Sequence, residues 1–468
     1  MIYGMTRSAR WLALLVAGAY FMEFLDATVI APAAPHIAAD LGIAPVTVNV
    51  AITAYVLTIA VLIPISGWLT ERFGARRVFA LAIAIFTLAS AGCAAAVDLP
   101  MLVATRVLQG VGGAMMVPVG RLVVIRTTEK TDLVRAVAYL TWPALVAPLL
   151  APALGGFLSE YASWRWIFLI NLPLGVVALL LSFRLVPDVR SDDPGPLDWR
   201  GFLLVAGGIA ALVFGLEGVA SAHPRWALVI GALLVAAAAL TATVVHLLRY
   251  RRPLVDLRIL RVRTYRVTAL GGSVFRAVIT AIPFLLPLFF QLGFGWTAAQ
   301  AGLVVIALFA GNVGIKPATT PLMRRFGIRT VMLVSVLMSA ACLVGIAFLQ
   351  PSTPLVLLLV LLTLSGIFRS VGFTTYNSVA FADVPAERMT GANTLMSTVQ
   401  ELGGGLGVAV GALLVRLGAG VNSAAGSSVD DAYRFAFVLL AVLLVVPAAD
   451  AFRLPREAGN VVTGRAAA

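Results

Sequence analysis

The sequence predicts an all-α integral membrane protein, and three observations carry that reading. Apolar residues make up 61% of the chain and charged residues only 12%, about half the charged share of an ordinary soluble domain. The apolar residues fall in runs of about 20, the length of a spanning helix, rather than in the alternating segments of a barrel. Lysines and arginines stand in short clusters between those runs, as membrane orientation requires.

Fourteen runs qualify as spans. The first six are 11–34, 46–68, 78–97, 100–120, 136–158 and 165–184. Arg7 and Arg10 precede the first run, as in a signal peptide. That run exceeds the roughly 7–15 residues of a signal-peptide core and holds two acids, so it is read as a span. A polar linker follows at 187–200, marked as loop by the turn chemistry of Ser191-Asp192-Asp193-Pro194-Gly195-Pro196. Two additional spans, 201–219 and 226–248, lead into a basic loop at 249–266. The last six spans are 267–291, 298–321, 331–349, 354–381, 391–415 and 433–451. The expected organisation is therefore an N-terminal six-helix half (1–185), a middle segment (186–266) and a C-terminal six-helix half with a short tail (267–468).

Positive charge tests this topology. With the N-terminus in the cytoplasm, 26 of the 34 lysines and arginines fall in cytoplasmic segments. Four lie outside (Arg165, Arg225, Arg416, Arg434) and four within spans (Arg106, Arg276, Lys316, Arg369). Removing or adding one span would exchange half the loops and destroy the bias. The expected location is the inner membrane, multi-pass, with both termini cytoplasmic. The net charge of +13 then follows from membrane orientation, and no nucleic-acid partner is expected. Cys93 and Cys342 fall inside apolar runs without CxxC spacing, so neither a disulfide framework nor a metal site is indicated. His36, His223 and His246 stand at loop or span ends and are expected to be solvated.

The first run, Trp11 to Pro35, carries Glu23 and Asp26. A carboxylate in hydrocarbon costs roughly 2.5–3.5 kcal/mol or more unless protonated, paired or wetted. Spaced three residues apart, the two share a helical face, which should look at a polar cavity. Asp26 lies roughly 22 Å from the start of its span and Arg106 roughly 9 Å from the outer end of its own. In a core of about 30 Å the two stand level. A guanidinium favours the ionised carboxylate and burial the protonated one, opposed influences that make such a group switchable. Asp26, Glu23 and Arg106 are the expected proton-coupling residues.

The chain also repeats itself. Leu69-Thr70-Glu71-Arg72-Phe73-Gly74-Ala75-Arg76-Arg77-Val78 recurs 253 residues later as Leu322-Met323-Arg324-Arg325-Phe326-Gly327-Ile328-Arg329-Thr330-Val331, with six of ten positions identical. Both copies join the second and third spans of their halves. Two parallel halves with a site between them is a known transporter plan.

These residues carry a resemblance. Gly67-Trp68-Leu69-Thr70-Glu71-Arg72-Phe73-Gly74-Ala75-Arg76-Arg77 resembles the loop signature of the major facilitator superfamily, with Glu71 for the usual Asp and Ala75 for a usual basic residue. The resemblance implies a gating loop built from Gly67, Glu71, Arg72, Gly74 and Arg76. Arg106-Val107-Leu108-Gln109-Gly110 is similar to the family's fourth-span motif, whose Arg faces the first helix. Ala147-Pro148-Leu149-Leu150-Ala151-Pro152-Ala153-Leu154-Gly155-Gly156 resembles its antiporter motif, with Ala147 and Ala151 where the family prefers Gly. Trp164-Arg165-Trp166-Ile167-Phe168-Leu169-Ile170-Asn171-Leu172-Pro173 and Leu25-Asp26-Ala27-Thr28-Val29 resemble the fourteen-span drug:proton antiporters of EmrB/QacA type. Phe275-Arg276, Pro283-Phe284-Leu285-Leu286-Pro287 and Phe368-Arg369 through Asn377 look like the MdtD-like subgroup. The resemblance implies a major facilitator fold of two six-helix halves plus two additional central helices.

Three further charges sit near mid-bilayer: Arg276, Arg369 and Glu401. Pairing Glu401 with one arginine leaves the other for a ligand. Glu23, Asp26 and Glu401 against Arg106, Arg276, Lys316 and Arg369 leave one net positive charge, unlike the acidic cavity expected of a dedicated lipophilic-cation pump. Arg276, Arg369, Glu401, Gln109, Gln291, Tyr376 and Asn377 are the expected substrate-cavity residues. Lys316 is close enough to its cytoplasmic end to snorkel.

The expected function is proton-coupled efflux of small amphiphilic molecules or drugs, by alternating access at a central site between the halves. The alternative on the same scaffold is export of small carboxylates or metal–carboxylate chelates, gripped by the intramembrane arginines. No GxxxxGK[ST] loop occurs, so the proton gradient is the expected energy source and no cofactor is expected. A membrane enzyme would need a nucleophile–base set or metal-binding acids in the aqueous loops, and a sensor would need a soluble output domain; neither is expected. The expected partners are substrate, protons and lipid, with the chain acting as a monomer.

Overall fold

The computed structural model describes residues 7–43, 45–129, 132–188, 190, 194–220, 225–251, 253–423, 429–455 and 457–458. In chain order the helices are α1 (Arg7–Leu41), α2 (Asn49–Leu62), α3 (Ser66–Phe73), α4 (Ala75–Ala94), α5 (Leu99–Thr127), α6 (Leu133–Tyr161), α7 (Trp166–Leu169), α8 (Asn171–Leu185), α9 (Trp199–Ala220) and α10 (Trp226–Arg249). They continue as α11 (Arg263–Ala269), α12 (Gly271–Leu288), α13 (Ala298–Gly314), α14 (Lys316–Phe326), α15 (Ile328–Ala347), α16 (Leu355–Val379), α17 (Met389–Ser423), α18 (Val429–Leu443) and α19 (Val445–Phe452). Among the described residues twelve helical stretches are long and apolar enough to cross a membrane, or thirteen if the bent pair Gln300–Gly314 and Lys316–Phe326 is one span. The 29-residue helix α6 occupies the remaining expected span.

The chain divides into two units. The first comprises Met1–Ala210, Ala238–Leu257 and Ala386–Thr398; the second comprises Ala211–Ala237, Arg258–Pro385 and Val399–Ala468. The middle segment expected at 186–266 is thus shared between the units rather than standing alone. The reason lies in packing: α9 and α10 lie against each other along a small-residue seam, Gly208 meeting Leu240 in the first unit and Gly215 meeting Leu233 in the second. The start of α17 joins the first unit because Asn393 donates to Pro118 O (2.8 Å) and Thr390 accepts from Arg126 (2.6 Å). Ser191, Asp192 and Asp193 of the expected linker turn, and His223, lie outside the described residues.

In the first unit α5 is the central helix. Its start is set locally: Asp98 caps it by accepting from Met101 N (2.8 Å), and Pro100 occupies the first turn. Its packing is set by Gly112, where an added Cβ would stand 2.7 Å from both Ala82 O and Phe86 N of α4. Only a glycine lets the two backbones approach that closely. Tyr55, Phe79, Phe86 and Met116 centre one apolar layer, and Ile30, Ala33, Leu102 and Phe168 a second. Ala147 and Ala151 of α6 are fully buried in that second layer, so the α1–α6 contact survives the loss of two family glycines. Pro148, Leu149, Pro152 and Ala153 of the same motif lie outside the described side chains.

The sequence repeat reappears as backbone geometry. Gly74 separates α3 from α4 at φ 87°, and in the second unit Gly327 separates α14 from α15 at φ 83°. Each N–H closes the preceding helix, on Thr70 O (2.9 Å) and Met323 O (3.0 Å), and each carbonyl opens the next, accepting from Val78 N and Val331 N (both 3.1 Å). An L side chain rarely adopts that φ, which is why glycine stands there in both copies.

Candidate functional site

A polar knot lies inside the first unit, within apolar helices. Asp26, 1% exposed, projects from α1 and forms an ion pair with Arg106 of α5. Its other oxygen accepts from Gln109 Nε2 (2.8 Å) and from Asn171 Nδ2 of α8 (3.0 Å). Gln109 also accepts from Arg106 (2.8 Å) and donates to Ser90 Oγ of α4 (2.8 Å). The Arg106 guanidinium carbon lies over the Tyr55 ring, 3.9 Å from its centroid, with the Phe168 ring at 5.9 Å, an arrangement favourable to a desolvated cation. Three helices, α1, α5 and α8, therefore meet at one carboxylate, and Ser90 of α4 braces its amide partners. Glu23, one turn away, is buried too.

Gln109 was expected in a substrate cavity; it is instead fully buried inside this knot, its amide committed to holding Asp26. Asn171 and Ser90 were not read as functional. Asn171 had a signal, a lone amide after the apolar run Trp166 to Ile170. Ser90 had none, because a helical serine commonly returns its hydroxyl to its own backbone, as Ser90 also does to Phe86 O (2.9 Å).

The residues expected to form a gating loop gather at the other end of α5. Gly67 is buried, and an added Cβ would collide with Thr394 Oγ1. Glu71 interacts electrostatically with Arg126, whose Nη2 donates to Thr390. Arg76 Nε donates to Val186 O (2.6 Å) and Trp68 Nε1 to Gly195 O (2.9 Å). The linker after α8 is thereby held against the loop. Arg72 points to the surface.

The second unit brings Arg276, Arg369 and Glu401 together. Arg276 acts electrostatically on both Glu401 and Arg369 and lies 5.4 Å from the Phe373 ring. Arg369 is 9% exposed, lies 5.9 Å from the Phe309 ring, and keeps Nε and Nη1 without a hydrogen-bond partner among the described residues. Lys316 does not snorkel; its Nζ donates to Thr374 Oγ1 (2.6 Å), because the α13–α14 bend turns it inward.

The other expected cavity residues are spent on packing. Tyr376, 2% exposed, donates to Pro447 O (3.3 Å) and packs on Phe275. Asn377 donates to Phe373 O and accepts from Gln400 (2.8 Å each). Gln291 returns its amide to Pro287 O (3.1 Å) in a π-helical turn. In each case the helix needed a polar partner for a carbonyl or a neighbouring amide, and these side chains supply it.

The Major Facilitator Superfamily pattern matches residues 16–408 and 268–464. The chain belongs to the major facilitator superfamily. Relatives of this member carry the name multidrug resistance protein MdtD. That of Cronobacter sakazakii is 39% identical over 98% of each chain, and that of Salmonella dublin is 37% identical over 98% of each. That of Pectobacterium carotovorum subsp. carotovorum is 36% identical over 96% of this chain and 97% of its own. Two solved structures share the superfamily fold. The human organic anion transporter MFSD10 (TETRAN) has a TM-score of 0.66, with 16% identity, 95% of this chain and 99% of that one covered. The proton:xylose symporter XylE bound to 6-bromo-6-deoxy-D-glucose has a TM-score of 0.65, with 14% identity and coverages of 97% and 98%. As a superfamily member with MdtD-named relatives along its whole length, this chain is a multi-pass membrane protein of a transporter family.

Proposed function

We propose that this chain exports small amphiphilic molecules, drugs among them, across the inner membrane by alternating access driven by proton entry. The observation that supports it best is Asp26: a carboxylate inside an apolar span, held by one guanidinium and two amides. Such a group binds a proton only when its partners let go, which is what coupling requires. Asp26 carries the proton, Arg106 competes with it, and Gln109 and Asn171 keep the carboxylate oriented. The MdtD-named relatives support drugs as cargo, and the arginine bias supports cytoplasmic termini. We take the working form to be a monomer.

The test uses everted vesicles that are acid inside, with a pH-reporting dye. Substrate added to the wild type should trigger proton release. Asp26→Asn should abolish that release while still exchanging labelled substrate down its own gradient. Undiminished proton release by Asp26→Asn would sink the coupling role.

A second reading concerns cargo charge. The buried Arg369, with two unpartnered nitrogens beside Arg276, is suited to a carboxylate or a metal–carboxylate chelate. Proton release on adding citrate-like carboxylates but not lipophilic cations would favour this cargo. The reverse would make Arg276 and Arg369 structural.

A further inference from the structure

The two additional helices carry a groove used by neither the Asp26 knot nor the Arg369 cluster. Only 28% of the apolar window of α9 and 17% of that of α10 are buried inside the protein, against 78% for α5. Most of their surface is therefore left to acyl chains. Near the end of α10, Ala242 and Val245 line a groove of about 650 Å³ whose polar end is formed by Arg200, His246, Arg249 and Tyr250.

The rim is cationic. Arg200 opens α9 next to the exposed Trp199, and Arg249 closes α10; both arginines are exposed. Asp198, the carboxylate that contacts His246 of the groove, is buried and already committed. It accepts from Gly201 N (2.9 Å) and Leu254 N (3.3 Å) and contacts His246 Nε2 (2.8 Å). His246, expected to be solvated, is thus a buttress: its ring is held by Asp198 and stacks on Tyr250 with centroids 5.1 Å apart. Among the described residues no ion pair reaches Arg200 or Arg249.

We propose that this groove holds one anionic phospholipid, its phosphate diester between Arg200 and Arg249 and an acyl chain along Ala242 and Val245. The charge arrangement selects that occupant: guanidinium groups bind phosphate in bidentate fashion, basic pockets between spanning helices take anionic headgroups, and Trp199 and Tyr250 stand where aromatic side chains meet the headgroup layer. An apolar wall ending in two arginines that no ion pair reaches among the described residues matches a molecule with an apolar tail and a negative head.

The test counts retained lipid on the purified full-length protein by native mass spectrometry, with phosphatidylglycerol or phosphatidylcholine added to delipidated samples. The wild type should retain one phosphatidylglycerol where phosphatidylcholine is stripped. The double variant Arg200→Gln/Arg249→Gln should bind phosphatidylglycerol about tenfold or more weakly. Arg251→Gln/Arg261→Gln, with the same charge change outside the groove, should bind like the wild type. Equal retention of the two lipids by the wild type would overturn the proposal, as would unchanged retention by the groove variant. Displacement of the lipid by millimolar inorganic phosphate would reassign the rim to free phosphate and overturn it as well.

Discussion

Both units bury arginine in the membrane, but they treat it in opposite ways. In the first, Arg106 faces a carboxylate from α1, an amide from its own helix and an aromatic ring from α2. In the second, among the described residues Arg369 meets the Phe309 ring at 5.9 Å and a like charge in Arg276 but no ion-pair partner, while Arg106 and Arg369 each keep two nitrogens without a hydrogen-bond partner. A compensated charge is part of the scaffold's own chemistry. A buried charge without an ion-pair partner costs stability. On the function proposed above, the contrast would separate a site for a proton from a site for a ligand.

The largest effect should come from splitting the first pair. Asp26→Ala or Arg106→Ala leaves a buried partner unpaired, and each should destabilise the protein by about 3–5 kcal/mol, read as a lower unfolding midpoint in detergent. Asp26→Asn/Arg106→Gln should recover most of that stability while transport stays uncoupled. Recovery of coupling by the double variant would show that the charges serve only the fold.

The second arginine should behave in the reverse sense. Arg369→Met removes a charge that has no ion-pair partner among the described residues, so the midpoint should hold or rise, by up to about 1–4 kcal/mol. A fall as large as that of Arg106→Ala would erase the distinction between the units.

A smaller change sharpens the picture of the knot. Asn171→Ala removes one of the amides on Asp26 and should cost about 1–3 kcal/mol. It should also shift the pH at which transport is half-maximal, which a merely structural asparagine would not do.

The smallest effect belongs to an exposed pair that serves as a contrast to both buried sites. The side-chain hydrogen bond from Arg165, aided by Trp164, holds the Asp40 carboxyl below its usual range. A depressed carboxylate contributes stability above its unfolded value of about 3.9 and loses it as pH falls through the lower native value. The midpoint difference between wild type and Asp40→Asn should be present at pH 6, worth less than about 1 kcal/mol, and should close toward pH 3. A difference that persisted in acid would assign the contribution to something other than the ion pair.

The sequence by itself determined the membrane class, the spans and the repeat, because each rests on local properties. Hydropathy run length, charge clusters and a glycine that must turn at φ 87° or 83° can all be read without knowing what touches what. It also named Asp26 and Arg106, since acids and arginines inside apolar runs demand a partner and equal depth suggests which one. Only the tertiary structure decided how polar neutral residues are spent. Gln109 became a scaffold for Asp26, Tyr376 and Asn377 became cross-braces, and Asn171 entered the knot from a helix more than sixty residues beyond Arg106. An amide or hydroxyl satisfies whichever donor or acceptor the packing places within about 3 Å, and that neighbour is chosen by helix contacts. Charge is conspicuous in an apolar sequence; the use of an amide is settled by its surroundings.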